Sequence, residues 1–218
     1  MTWSGRYDAV LFDLDGVLVD SLDVIERILR EWAQGHGLDA GRAVELSHGR
    51  RDIDLIGLLA PHLDAEAETA RIVEREEHDT AGLRAMPGAA DALAAVPAKA
   101  WAVVTSGTRA VAAARLSAAG LPAPALLLGA EDVPWGKPDP TGYLWAARLL
   151  GVEAPRCLVV EDAEAGARAA GAAGMDCLGV GPALADRPDL VRAHVPDLSH
   201  VRISAEGGSV TVGRLGSC

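Results

Sequence analysis

Cysteine, long apolar runs and positive charge are all scarce in this sequence, and each shortage narrows what the chain can be. Three cysteines in 218 residues make no disulfide framework: Cys157 and Cys177 lie within apolar runs and Cys218 ends the chain. They also lack the spacing of zinc ligands, so a reducing, cytoplasmic setting is expected. No apolar stretch is long enough to span a bilayer, and the segment from Met1 to Asp8 has no apolar signal-peptide core. Against 31 acidic residues stand 20 basic ones, a net charge of -11. That balance argues against nucleic acid or an anionic membrane as partner, and any anionic substrate must meet local positive charge.

The chain has the length of one domain, or of a core carrying a smaller insertion. Its organising stretch is Asp13-Leu14-Asp15-Gly16, which follows the apolar run Ala9-Val10-Leu11-Phe12. A run that apolar reads as a strand buried on both faces. Two carboxylates at its exit are unexpected, because like unit charges about 4 Å apart repel by roughly 4 kcal/mol at an effective dielectric near 20. A hard divalent cation with oxygen ligands would hold them together, and Gly16 would let the backbone turn away tightly. An isolated Asp-Gly pair does no more than end a strand, so the weight falls on the rest of the chain.

Ser21 reads as an N-cap, and Leu22, Ile25, Ile28, Leu29 and Trp32 recur at helical spacing. Helical pieces continue to about Met86, including Asp52 to Ala60, stopped by Pro61, and a solvent-facing acidic stretch from Asp64 to His78. With no convincing strand among them, residues 21–86 read as a helical cap inserted into a core made of 1–20 and 87–218. Beyond Met86, helix and strand alternate, the pattern of a parallel sheet. The expected strands are Trp101 to Val104, Ala125 to Leu128, Cys157 to Val160 and Cys177 to Val180, with helices at about 109–119, 140–150 and 163–173. The Gly- and Ser-rich tail after Val201 carries no clear pattern.

In an open parallel sheet, ligands bind outside the carboxyl ends of the strands. Polar residues follow each run: Asp13 and Asp15, then Thr105-Ser106-Gly107-Thr108, then Gly136-Lys137-Pro138, then Glu161-Asp162. A hydroxyl and free N–H groups at a helix start suit a phosphate. Lys137 stands out because Lys99 is the only other lysine; the remaining basic residues are arginine. A compact ammonium that bridges a phosphate and a carboxylate is one reason to keep lysine there.

In this order the four segments resemble the haloacid dehalogenase superfamily, whose motifs are D-x-D, a Thr or Ser after the second strand, a downstream Lys and an acidic pair. The resemblance spans about Tyr7 to His200. Within the superfamily the chain looks most like phosphatases of sugar and polyol phosphates, through Ser47-His48-Gly49-Arg50-Arg51 with Asp54, Ala60-Pro61, Trp101 to Arg109 and Gly136 to Pro140. The resemblance implies an α/β fold, a Rossmann-like three-layer core with a central parallel sheet and a small all-helical cap after the first strand. It implies Asp13 as nucleophile and Asp15 as general acid and base. Mg²⁺ would be held by Asp13, the Asp15 carbonyl and Asp162, with Glu161 beside them or as an occasional ligand. Thr105, Ser106 and Lys137 would bind the phosphoryl group, and Arg51, His48 and Arg50 would reach down from the cap toward a small phosphorylated sugar or polyol. A monomer or dimer is expected.

The nearest rival is a phosphosugar mutase. Such mutases carry a histidine ten residues beyond the second aspartate, where this chain has Ile25. A dehalogenase would not use Asp15, and a phosphonatase-like cap needs a lysine that residues 21 to 87 lack. A non-catalytic metal- or phosphate-binding module on the same scaffold is the alternative of another class. Every motif position is occupied by a chemically competent residue, which argues against it.

Overall fold

The structure is a computed structural model that describes residues 3–215; Cys218 lies outside them. The chain opens with β1 (Ser4–Tyr7) and β2 (Ala9–Phe12), and β3 (Val19–Asp20) then leads into four helices. These are α1 (Leu22–Gly35), α2 (Ala40–Ser47), α3 (Asp52–Leu59) and α4 (Ala65–His78), after which β4 (Arg84–Ala85) returns. Next come α5 (Ala89–Ala95), β5 (Trp101–Val104), α6 (Arg109–Ala118), β6 (Leu127–Leu128) and α7 (Thr141–Leu150). The remainder is β7 (Cys157–Glu161), α8 (Glu164–Ala172), β8 (Asp176–Val180), β9 (Ala193–Val195), β10 (Val201–Glu206) and β11 (Ser209–Arg214).

Six strands form an all-parallel sheet in the order β6-β5-β2-β7-β8-β9. Every residue of β2, β5 and β7 is buried, which is why their sequences run apolar without alternation. Side chains still alternate between faces. Val10, Phe12, Val103 and Val160 pack with Ala92 and Leu93 of α5 and Ala112 and Leu116 of α6. Ala9, Leu11, Val104 and Val159 pack on the other face with Tyr143 of α7 and Ala167 and Ala170 of α8. The result is a three-layer α/β sandwich of Rossmann-like type. Alanine-rich helices lie close to such a sheet, and each large aliphatic side chain buried there contributes about 1.5–3 kcal/mol.

Helices α1 to α4 pack on one another, and the strands at their two ends pair antiparallel, Val19 with Ala85 and Asp20 with Arg84. The short strand β4 is the one regular non-helical piece that sequence reading passed over there.

Three other expectations need correction. The acidic stretch is helix α4, but Glu68, Ile72 and Glu76 on it are buried, because i, i+4 and i+8 share one face. Ser21 stands at the N-cap of α1 without capping it; its hydroxyl donates to Asp15 instead. The tail after Val201 is ordered: β10 and β11 form a hairpin and β1 joins it antiparallel, burying Val210 and Val212.

Candidate active site

Strand β2 is central, and the chain passes from it to β5 and β6 on one side before crossing to β7, β8 and β9 on the other. The order reverses between β2 and β7, where a crevice opens at the carboxyl ends. The end of β2 delivers Asp13, the end of β7 delivers Glu161 and Asp162, and β5 delivers Thr105. A solvent-open cleft lies above them. Its core wall includes Asp13, Asp15, Thr105, Ser106 and Asp162; Ile25, His48, Arg50, Asp52 and Glu76 face them from α1 to α4 and their connections.

Lys137 is the buried hub of this end. Its Nζ donates to Asp13 Oδ1 at 2.5 Å, to Glu161 Oε1 at 2.6 Å and to the Val104 carbonyl at 3.2 Å. Glu161 is fully buried and also accepts from the Tyr143 hydroxyl at 2.6 Å. Burial opposes the ammonium, yet the Asp13 and Glu161 carboxylates outweigh it and hold Lys137 charged. Burial pushes the Asp13 carboxyl up to about 7, against the pull of Lys137 and with the help of Glu161 and Asp15. Burial, Asp13 and Glu161 push Asp162 well above the carboxylate range.

Oxygen atoms of Asp13, Glu161 and Asp162 lie within 4.8 Å of one another. These three carboxylates face one lysine, an imbalance that a hard divalent cation with oxygen ligands would relieve. The backbone is shaped for this crowding. Gly16 has φ of +76°, and a Cβ there would overlap the Asp162 carboxylate.

Asp15 is anchored by Ser21, which the sequence offered only as an N-cap, and by Arg115, which it did not single out. Its Oδ1 accepts from Ser21 Oγ at 2.5 Å and its Oδ2 from Arg115 Nη1 at 2.8 Å. Arg115 is buried on α6, and its Nη2 reaches Glu76 Oε1 at 2.9 Å. A signal was present: with Val111, Ala112 and Leu116, Arg115 falls on the apolar stripe of its helix. Asp52 lines the same end of the cleft, its carboxyl raised well above the usual range by burial and by Glu76.

The other expected residues divide. Thr105 is buried beside the cleft, and its Oγ1 accepts from the Gly107 N–H at 3.1 Å. Ser106 lines the cleft and turns its hydroxyl to the Gly49 carbonyl, 2.9 Å away. His48 and Arg50 line the cleft, with Arg50 Nε on the Leu46 carbonyl at 3.0 Å. Arg51 is not brought to that wall. It forks onto Asp54 at 2.7 and 3.0 Å and donates to the Val133 carbonyl at 3.0 Å, tying α3 to the segment before Lys137. The fork satisfies the guanidinium locally, and Arg51 lines a smaller pocket with Thr105, Ser106 and Lys137.

Comparison with known proteins agrees with this geometry. A family profile described as "Hydrolase: haloacid dehalogenase-like hydrolase" matches residues 7–174. Hexitol phosphatase A of Escherichia coli (strain K12) is 44% identical over 193 residues, covering 85% of this chain and 88% of that protein. Glycerol-1-phosphate phosphohydrolase 2 of Saccharomyces cerevisiae is 34% identical over 188 residues, with 80% and 75% covered. A solved hydrolase from Pseudomonas syringae superposes with a TM-score of 0.78 at 24% identity, covering 88% and 94% of the two chains, and so shares the fold. The chain belongs to the haloacid dehalogenase-like hydrolase family and is an enzyme of its phosphatase branch.

Proposed function

We propose that the protein hydrolyses the phosphate monoester of a small sugar or polyol with Mg²⁺ and an aspartyl-phosphate intermediate. The observation that carries this is the Asp13–Lys137–Glu161 cluster at the switch point of the sheet, with Asp162 beside it and a cleft above. The two curated relatives are named for a hexitol phosphate and a glycerol phosphate, which supports the substrate class.

In this reading an Asp13 carboxylate oxygen attacks phosphorus, and the bond from phosphorus to the substrate alcohol breaks. Asp15 gives its proton to the leaving alcohol oxygen. It then takes one from the water that attacks the aspartyl-phosphate, releasing inorganic phosphate and restoring Asp13. Thr105, the Ser106 N–H and Lys137 hold the phosphoryl oxygens, whose charge is what the protein must chiefly stabilise. Asp13, Asp162 and the Asp15 carbonyl would hold Mg²⁺; Glu161, occupied by Lys137 and Tyr143, acts from behind them. Bound there, the cation would supply positive charge against the phosphoryl group. Helices α1 to α4 form the cap, residues 21–86, over the core of 1–20 and 87–218, with His48 and Arg50 toward the alcohol half. Arg51 locks the cap to the core. The aliphatic Ile25 in the cleft wall offers no proton-transfer group where the mutases have histidine, which favours hydrolysis.

The chain is read as cytoplasmic, in keeping with buried free Cys157 and Cys177, and as a monomer or dimer. Among the described residues no helix is long and apolar enough to cross a membrane. The test is phosphate release from a panel of sugar, polyol and nucleotide monophosphates with Mg²⁺ or EDTA. Metal-dependent release that disappears in Asp13→Asn, with its thermal transition intact, is the expected result. Turnover retained by that variant would sink the mechanism.

A further inference from the structure

The guanidinium of Arg115 joins three elements that the reaction must coordinate. It belongs to α6 of the core, its Nη1 donates to Asp15 after β2, and its Nη2 donates to Glu76 on α4. The side chain is 3% exposed and that of Glu76 6%. Removing such a charge from water is costly unless its partners are well placed, and packing alone would be served by an aliphatic residue. The other buried positions of α6 are indeed Val111, Ala112 and Leu116. An arginine in that stripe therefore needs a purpose, and its planar fork presents separate N–H groups to two carboxylates on different elements in a fixed geometry.

We infer that Arg115 is a positioning residue for Asp15, and that Glu76 holds Arg115 in place, so that the acid is aimed when α4 is seated against α6. The inference rests on the proposed role of Asp15. In the first half-reaction the new bond joins Asp13 oxygen to phosphorus, the bond to the alcohol breaks, and the proton moves from the Asp15 carboxyl to the alcohol oxygen. Asp15 is left as a carboxylate. Arg115 faces that form with an N–H already directed at Oδ2, while Ser21 fixes the other oxygen. Without the guanidinium, the Asp15 carboxylate would be free to rotate away from the leaving oxygen.

The experiment compares kcat/KM for glycerol 1-phosphate, whose alkoxide leaves poorly and needs the proton, with that for p-nitrophenyl phosphate, whose phenolate leaves readily without it. kcat/KM reports steps through departure of the alcohol, so the later base role of Asp15 does not enter. In Arg115→Met the ratio of the alkyl to the aryl value should fall tenfold or more, in Glu76→Gln about threefold, and Arg115→Lys should lie between Arg115→Met and wild type. A ratio within twofold of wild type in Arg115→Met, both esters falling together, would show a merely structural role and overturn the inference. Should Arg115→Met fail to give a cooperative thermal transition, the ratio in Glu76→Gln decides alone. Asp15→Asn separates the two levels: an unchanged ratio there removes the acid role and the inference with it. No phosphate release from either ester by the wild-type protein would instead defeat the phosphatase reading.

Discussion

Replacing Lys137 with methionine tests the buried hub directly. The lysine side chain is 6% exposed and neutralises Asp13 and Glu161, whose side chains are 10% and 0% exposed. Methionine preserves much of the volume but leaves two buried carboxylates facing each other, a change that costs about 3–5 kcal/mol. In a chain of this size each kcal/mol moves Tm by about 2–4 °C, so a loss of roughly 6–20 °C is expected. The loss depends on pH. Burial already raises the Asp13 carboxyl to about 7, and Lys137 is the group that restrains the rise. A carboxyl raised above its unfolded value binds more protons in the folded state, so stability falls as pH climbs from about 4 through the folded value. Losing Lys137 lifts that value further, making the deficit larger at pH 8 than at pH 5. Thermal melts followed by circular dichroism in EDTA at both pH values measure it, and added Mg²⁺ should shrink the deficit by sharing the charge of Asp13. A variant that melts within 2 °C of wild type at pH 8 in EDTA would refute the reasoning.

Two further predictions concern packing and charge. A Cβ at Gly166 would overlap the Glu161 carboxylate, which Lys137 and Tyr143 hold in place, so Gly166→Ala should cost about 1–3 kcal/mol and lower turnover. Unchanged melting and unchanged kcat would show that Glu161 yields freely. The Trp32 indole N–H, with Arg71 and His36, holds the Glu68 carboxyl below the usual carboxylate range. Its stabilisation is complete above about pH 4.3 and is lost as pH falls through the lowered folded value. The Tm deficit of Glu68→Gln at pH 7 should therefore narrow by pH 3, and a constant deficit across that range would count against the assignment.

Sequence alone was sufficient where a local period carries the information. The apolar runs Val10-Leu11-Phe12 and Cys157-Leu158-Val159 read as strands covered on both faces, which places the polar residues after them at the sheet's ligand-binding edge. Asp13, Thr105, Glu161 and Asp162 were legible for that reason, and Lys137 through its rarity. The hairpin of β10 and β11 was also written locally. Gly207 and Gly208, with φ of +58° and +82°, are its two-residue turn between alternating strands, although the glycines read more readily as a loose tail. Tertiary structure alone decided the partners. Arg115 falls on the buried stripe of its helix and Glu76 lies in a stretch that read as solvent-facing, and nothing in either helix says that Arg115 bonds both Glu76 and Asp15, the latter 100 residues away in sequence. Likewise Arg51 follows Arg50 directly, yet one turns to the core's Val133 carbonyl and the other lines the cleft. Periodicity determines which face of an element is buried; which charges meet there depends on how separate elements pack, and that is a property of the whole chain.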